Sequence, residues 1–159
     1  MKRTIYIETS VVSYLVADMS DNIRVSGHQL ATHEFWKILP EYEVSISDTV
    51  VEETSKGDEG KIQKRLRRIR DFRVLEIDEK TQALAIKLVG EKAIPEKCPE
   101  DALHIAVAAI NEIEFIVTWN FKHINNPFMI RKISDVVTSA GYSMPVICSP
   151  EEFMEAEHD

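Results

Sequence analysis

Apolar positions along the chain follow two rhythms. Short β-branched and aromatic runs recur at 4–7 (TIYI), 42–47 (YEVSIS), 74–77, 115–118 (FIVT) and 145–148, the signature of strands. Between them lie longer segments whose apolar residues repeat at i, i+3 and i+4, the spacing of helices that bury one face. The pattern predicts helices over 11–17, 22–39, 48–56, 61–71, 79–89, 102–113 and 128–140. Leu30, Ala31, Phe35, Ile38 and Leu39 carry the second of these, and Pro40 stops it. Gly57, Gly90 and Gly141 follow three others, as C-terminal stops do. Ser149-Pro150-Glu151-Glu152 opens a last helix, with Ser at the cap, Pro at the first position and Glu at the third. The 102–113 helix (ALHIAVAAINEI) is apolar on nearly every side and is expected at the centre of the molecule. Strands alternating with helices predict an α/β fold, a three-layer α/β/α sandwich with a mostly parallel central sheet. No linker or internal repeat interrupts the pattern, so residues 1–159 are expected to form a single domain.

Composition narrows the class. With 44% hydrophobic and 29% charged residues, the chain is neither disordered nor of low complexity. No apolar run approaches the ~20 residues of a membrane span. The opening MKRTIYIETS turns polar too early for a signal peptide. Cys98 and Cys148 form no CxxC pair, which fits a reducing, cytoplasmic setting. A net charge of −8 argues against a generic nucleic-acid coat protein. The charge is uneven, however. Lys61, Lys64, Arg65, Arg67, Arg68, Arg70 and Arg73 crowd one segment, which is either a solvated face or a surface that steers RNA toward an acidic pocket.

Ligands of an open α/β sheet bind outside the carboxyl ends of its strands. Glu8, Thr9 and Ser10 follow the first strand; Trp119 and Asn120 follow FIVT. Glu52 and Glu53 lie on the helix after YEVSIS, and Asp101 stands in the first turn of the most apolar helix. Glu53 shares a face with Val50 and Thr49, whereas Glu52 shares one with Asp48 and Ser55, so Glu53 is expected to point inward. Asp101 lines up with His104, Ile105 and Ala108, which favours it over Glu100. Carboxylates gathered together need a neutralising cation. An oxygen donor set without paired His or Cys suits Mg²⁺ or Mn²⁺. Asp78 after the third strand leaves room for a phosphoacceptor pocket, but the first strand lacks the acidic pair such pockets use. No GxGxxG or Walker A segment occurs.

Four segments, Ile7-Glu8-Thr9-Ser10, Ser47 to Glu53, Glu100-Asp101-Ala102-Leu103-His104-Ile105-Ala106 and Ile116-Val117-Thr118-Trp119-Asn120, resemble the successive motifs of PIN domains. These are the nuclease domains of VapC-type toxins. The resemblance covers nearly the whole chain, in order. It implies a metal-dependent ribonuclease with Mg²⁺ or Mn²⁺ in an acidic pocket, cleaving to leave a 5′-phosphate. Glu8, Glu53, Asp101 and Asn120 occupy the matching catalytic and metal-binding positions. Thr9, Ser10, Thr118 and His104 are expected in support, with Lys122, His123, Arg65 and Arg68 as RNA contacts. It also implies a homodimer and a possible antitoxin partner. Two positions depart from the pattern: Glu8 stands where Asp is usual, and Asn120 where Asp is frequent. Asn removes a negative charge and weakens the case for a second ion. The departures leave an alternative, a PIN-fold module that binds RNA or a protein partner without cutting.

Overall fold

The computed structural model describes residues 1–157. His158 and Asp159, the end of the expected domain, lie outside the described residues. Five strands form one sheet: β1 (Thr4–Ile7), β2 (Glu43–Ser47), β3 (Arg73–Leu75), β4 (Phe115–Val117) and β5 (Val146–Cys148). They run in the order β3-β2-β1-β4-β5, and every pairing is parallel. Eight α-helices accompany them among the described residues: α1 (Thr9–Val16), α2 (Ile23–Ile38), α3 (Asp48–Thr54), α4 (Glu59–Ile69), α5 (Glu79–Gly90), α6 (Pro99–Ile110), α7 (Ile130–Ser139) and α8 (Pro150–Glu157).

Neighbouring residues of a strand point to opposite faces of its sheet. Ile5, Tyr6 and Ile7 are all fully buried, so helices cover both faces and the fold has three layers. Among the helices, α6 packs against α5, which also meets α7, and α2 packs against α1 and α8. Residues 102–109 of α6 are buried with the exception of half-buried Leu103, as the apolar run predicts.

Most boundaries shift from the periodicity by one to three residues, and two of these shifts bear on the site. The strand predicted over 74–77 runs only over Arg73–Leu75, because the Ile77 N–H leaves the ladder for the Asp48 carboxylate, 3.0 Å away. The central helix begins at Pro99, three residues before its apolar run, with Pro in the first turn where its missing N–H costs nothing. That earlier start places Asp101 at the third helical position.

The sheet order reverses direction between β1 and β4, neighbours in space that are far apart in sequence. Their carboxyl ends line up, with Ile7 opposite Val117. A crevice at such a switch point is where open α/β sheets bind ligands. Glu8 leaves β1 there, its N–H bonded to the Val117 carbonyl at 3.1 Å, and Thr118 leaves β4 beside it.

Candidate metal centre

Glu8 is the N-cap of α1. Its Oε1 accepts bonds from the Ser10 N–H (3.1 Å), the Ser10 hydroxyl and the Thr118 hydroxyl (2.6 Å). Both hydroxyls are themselves fixed. Ser10 Oγ accepts the Trp119 N–H at 2.8 Å and Thr118 Oγ1 accepts the Asn120 N–H at 2.9 Å. The turn after β4 is thus stitched to the start of α1 through one buried carboxylate, whose Oε2 is left facing His104 at 3.9 Å.

Glu53 faces inward and Glu52 is exposed, as their helical positions predict. Ser47 caps α3 through the Val50 N–H and so sets the helix on the end of β2. Glu53 Oε1 accepts the Thr9 hydroxyl at 2.6 Å and meets His104 Nε2 at 2.7 Å. One ligand atom each from Glu8, Glu53 and His104 lies within 4.8 Å of the others.

His104 is fully buried. Asp101 stands one turn before it on α6, but the packing of α3 against α6 gives it Glu53 as its partner. An ionised carboxylate only accepts, so Nε2 carries a proton. Nδ1 meets the Tyr6 hydroxyl at 2.6 Å, and that hydroxyl meets Ser47 Oγ at 2.8 Å. Burial alone would lower the His104 pKa; the Glu53 bond and the charges of Glu8, Glu53 and Asp101 outweigh it and raise it. Glu53 answers in the opposite sense: burial pushes its pKa up, and the bonds from His104 and Thr9 bring it below its ordinary value. His104 therefore ties Glu53 to Tyr6 and faces Glu8 within the core.

Asp101 does not cap its own helix. Its Oδ1 accepts the Asn120 side-chain N–H at 3.1 Å, and its Oδ2 meets His123 Nδ1 at 2.9 Å. Asn120 Oδ1 in turn accepts the His123 backbone N–H at 3.0 Å. The carbonyl oxygen expected of Asn120 as a ligand is thus engaged within its own turn, and its amide orients Asp101.

The expected RNA contacts separate. Lys122 is exposed, while His123 is drawn in by Asp101. Arg65 spends its guanidinium on the carbonyls of Thr54 (3.2 Å) and Lys56 (2.6 Å), closing the end of α3. Arg68, with Lys64 and Arg67, borders a hollow of about 260 Å³ beside Leu15 and Val16. Trp119 is buried, stacked on His28 at 4.1 Å and bonded to the Thr32 hydroxyl, so its ring is a packing element. Asp78 caps α5 through both the N–H and the hydroxyl of Thr81, which accounts for that carboxylate at the end of edge strand β3.

Tyr6 is the participant that patterning overlooked. It sits inside an apolar strand run, and the one available signal was that a buried tyrosine hydroxyl needs a partner.

No family profile and no curated protein matches the sequence. Among solved structures the fold is similar to the crystal structure of VapBC2 from Rickettsia felis bound to a DNA fragment from their promoter. The TM-score is 0.59 at 15% identity, over 92% of this chain and 98% of that one. At that identity the likeness establishes the shared α/β fold.

Proposed function

We propose that the chain is a PIN-type nuclease of the VapC kind, a metal-dependent endoribonuclease. One observation supports this most: Glu8 and Glu53, from two separate segments, converge on buried His104 at the sheet's switch point, with Asp101 one turn before that histidine on α6. VapC-type toxins carry PIN domains, and the likeness to the VapBC2 structure makes this fold a natural carrier for that chemistry.

The donor set fits a hard divalent cation. Glu8 and Glu53 each keep an Oε2 that accepts no hydrogen bond among the described residues. Glu8, Glu53 and Asp101 would hold Mg²⁺ or Mn²⁺, and all-carboxylate oxygen ligation is what such ions prefer. When bound, the ion supplies an activated water and offsets negative charge at the phosphate. Thr118 and Ser10 hold the Glu8 carboxylate, Thr9 and His104 hold Glu53, and Asn120 and His123 hold Asp101. Asn120 is thus a positioning residue in this reading. The Lys64, Arg67 and Arg68 face gives an RNA backbone an attractive approach to an otherwise repulsive pocket. The VapBC2 likeness further suggests an antitoxin partner, and a small DNA-binding protein encoded beside this chain would support it.

The test is cleavage of mixed-sequence single-stranded RNA with Mg²⁺ or Mn²⁺ against EDTA, wild type beside Asp101→Asn. Metal-dependent cutting lost in the variant supports the nuclease. Cutting that survives in Asp101→Asn refutes it. RNA binding without turnover in both proteins favours the binding-only alternative, which has its own support: His104 already engages the Glu53 carboxylate.

A further inference from the structure

Beside the acidic pocket lies a second group of different chemistry. Cys98, Asp101 and His123 each present one ligand atom within 4.8 Å of the others. Cys98 and Asp101 stand three residues apart at the start of α6. Cys98 is the cap residue by position, yet it makes no side-chain capping bond, and its half-buried thiol is free. His123 arrives from the turn after β4 and is held in place twice, by its backbone on Asn120 and by its ring on Asp101. Asn120 also fixes the far oxygen of Asp101. Asn120 therefore orients Asp101 from outside the group, as outer partners orient the ligands of metal sites, and the His123 ring already faces Asp101.

We propose that Cys98, Asp101 and His123 form a second metal site that takes Zn²⁺. Thiolate, imidazole and carboxylate together are a borderline-soft donor set, which suits Zn²⁺ and disfavours Mg²⁺. Three protein ligands leave a fourth tetrahedral position for water. Zinc bond lengths put tetrahedral ligand atoms roughly 3.6 Å apart, and the three atoms already lie within 4.8 Å of one another, so shifts of about an ångström by side-chain rotation bring them onto one ion. On binding, the Cys98 thiol gives its proton to solvent and the sulfur lone pair forms the bond to the ion. Asp101 is common to this group and to the acidic pocket, so Zn²⁺ here draws on a carboxylate that the pocket also uses. The proposal stands apart from the nuclease reading, because its test measures metal binding alone.

Co²⁺ reports on such a site through its sulfur-to-metal charge-transfer absorption. EDTA-treated, desalted full-length protein is titrated with Co²⁺ under reducing conditions, then with Zn²⁺. The expected result is a near-ultraviolet band that saturates at one equivalent and is abolished by Zn²⁺. Cys98→Ser loses the band, Cys148→Ser keeps it, and His123→Ala weakens Co²⁺ binding by at least about tenfold. Circular dichroism of each variant confirms that it is folded. A wild type without the band overturns the proposal, as does a band that persists in folded Cys98→Ser.

Discussion

Replacing Tyr6 with Phe tests the buried relay that holds the site. The hydroxyl sits in a fully buried position between His104 Nδ1 at 2.6 Å and Ser47 Oγ at 2.8 Å. The phenyl ring remains, so no large cavity opens and the change isolates the hydroxyl. Burial pushes the Tyr6 pKa well above its ordinary value, so the group being removed is a neutral phenol throughout the working range. Each net hydrogen bond contributes roughly 1 kcal/mol, and one made to a charged group about 1.5–3 kcal/mol. His104 Nδ1 is left in the core without its partner and Ser47 keeps only the long 3.4 Å bond from Val50. The expected loss is therefore about 2–4 kcal/mol, a large part of the roughly 5–15 kcal/mol that holds an ordinary domain. In urea, with m near ~2 kcal/mol/M, the midpoint falls by about 1–2 M. The ring of His104 also loses one of its two anchors, so on the proposed nuclease reading metal-dependent cleavage falls by roughly 10–100-fold. A Tyr6→Phe protein whose midpoint stays within about 0.2 M of wild type refutes the relay as a structural element.

Four further outcomes follow from particular contacts. Arg65→Ala lowers stability by about 1–2 kcal/mol by freeing the carbonyls at the end of α3, with little change in the salt dependence of RNA binding. Arg68→Ala does the opposite, leaving the melting temperature in place and reducing the slope of log affinity against log salt by about 1. Burial and the Glu152 charge push the Cys148 thiol up to about 12, so iodoacetamide at pH 8 modifies Cys98 and spares Cys148, read by peptide mass spectrometry. The His104–Glu53 pair gives metal-free protein a pH window in EDTA. His104 binds its proton more tightly when folded, so its contribution is complete below 6.5 and lost as pH rises through its raised value; that of Glu53 is present above 4.5 and lost as pH falls through its lowered value. The stability gap between wild type and His104→Gln therefore narrows from pH 6 to pH 9, and a gap that widens over that range contradicts the pairing.

Much of this architecture could be read from residue order. Alternation of β-branched runs with 3.6-residue periodicity predicts all five strands and the helices between them, because burial on both sheet faces demands continuous apolar runs such as TIYI and FIVT. Glu53 could be separated from Glu52 because a helix fixes which neighbours share a face. Less of the site was legible, for a physical reason: partners across elements depend on how helices rotate against one another. Asp101 and His104 share a face of α6, yet His104 turns to Glu53 on α3 while Asp101 turns to Asn120 and His123. Arg65 reads as one basic residue among seven, and only the packing of α4 on α3 commits it to two carbonyls. The Ile77 end of the third strand failed for a similar cause, since Asp48 lies 29 positions away in sequence.

Metal binding by Glu8, Glu53 and Asp101 at the carboxyl ends of β1 and β4 is what the proposed function rests on. Crystals soaked in Mn²⁺ and measured for anomalous scattering address it directly. The account predicts an anomalous peak among those three carboxylates, absent from Glu8→Gln crystals treated alike. A wild-type map with no peak there, or one unchanged by Glu8→Gln, contradicts it.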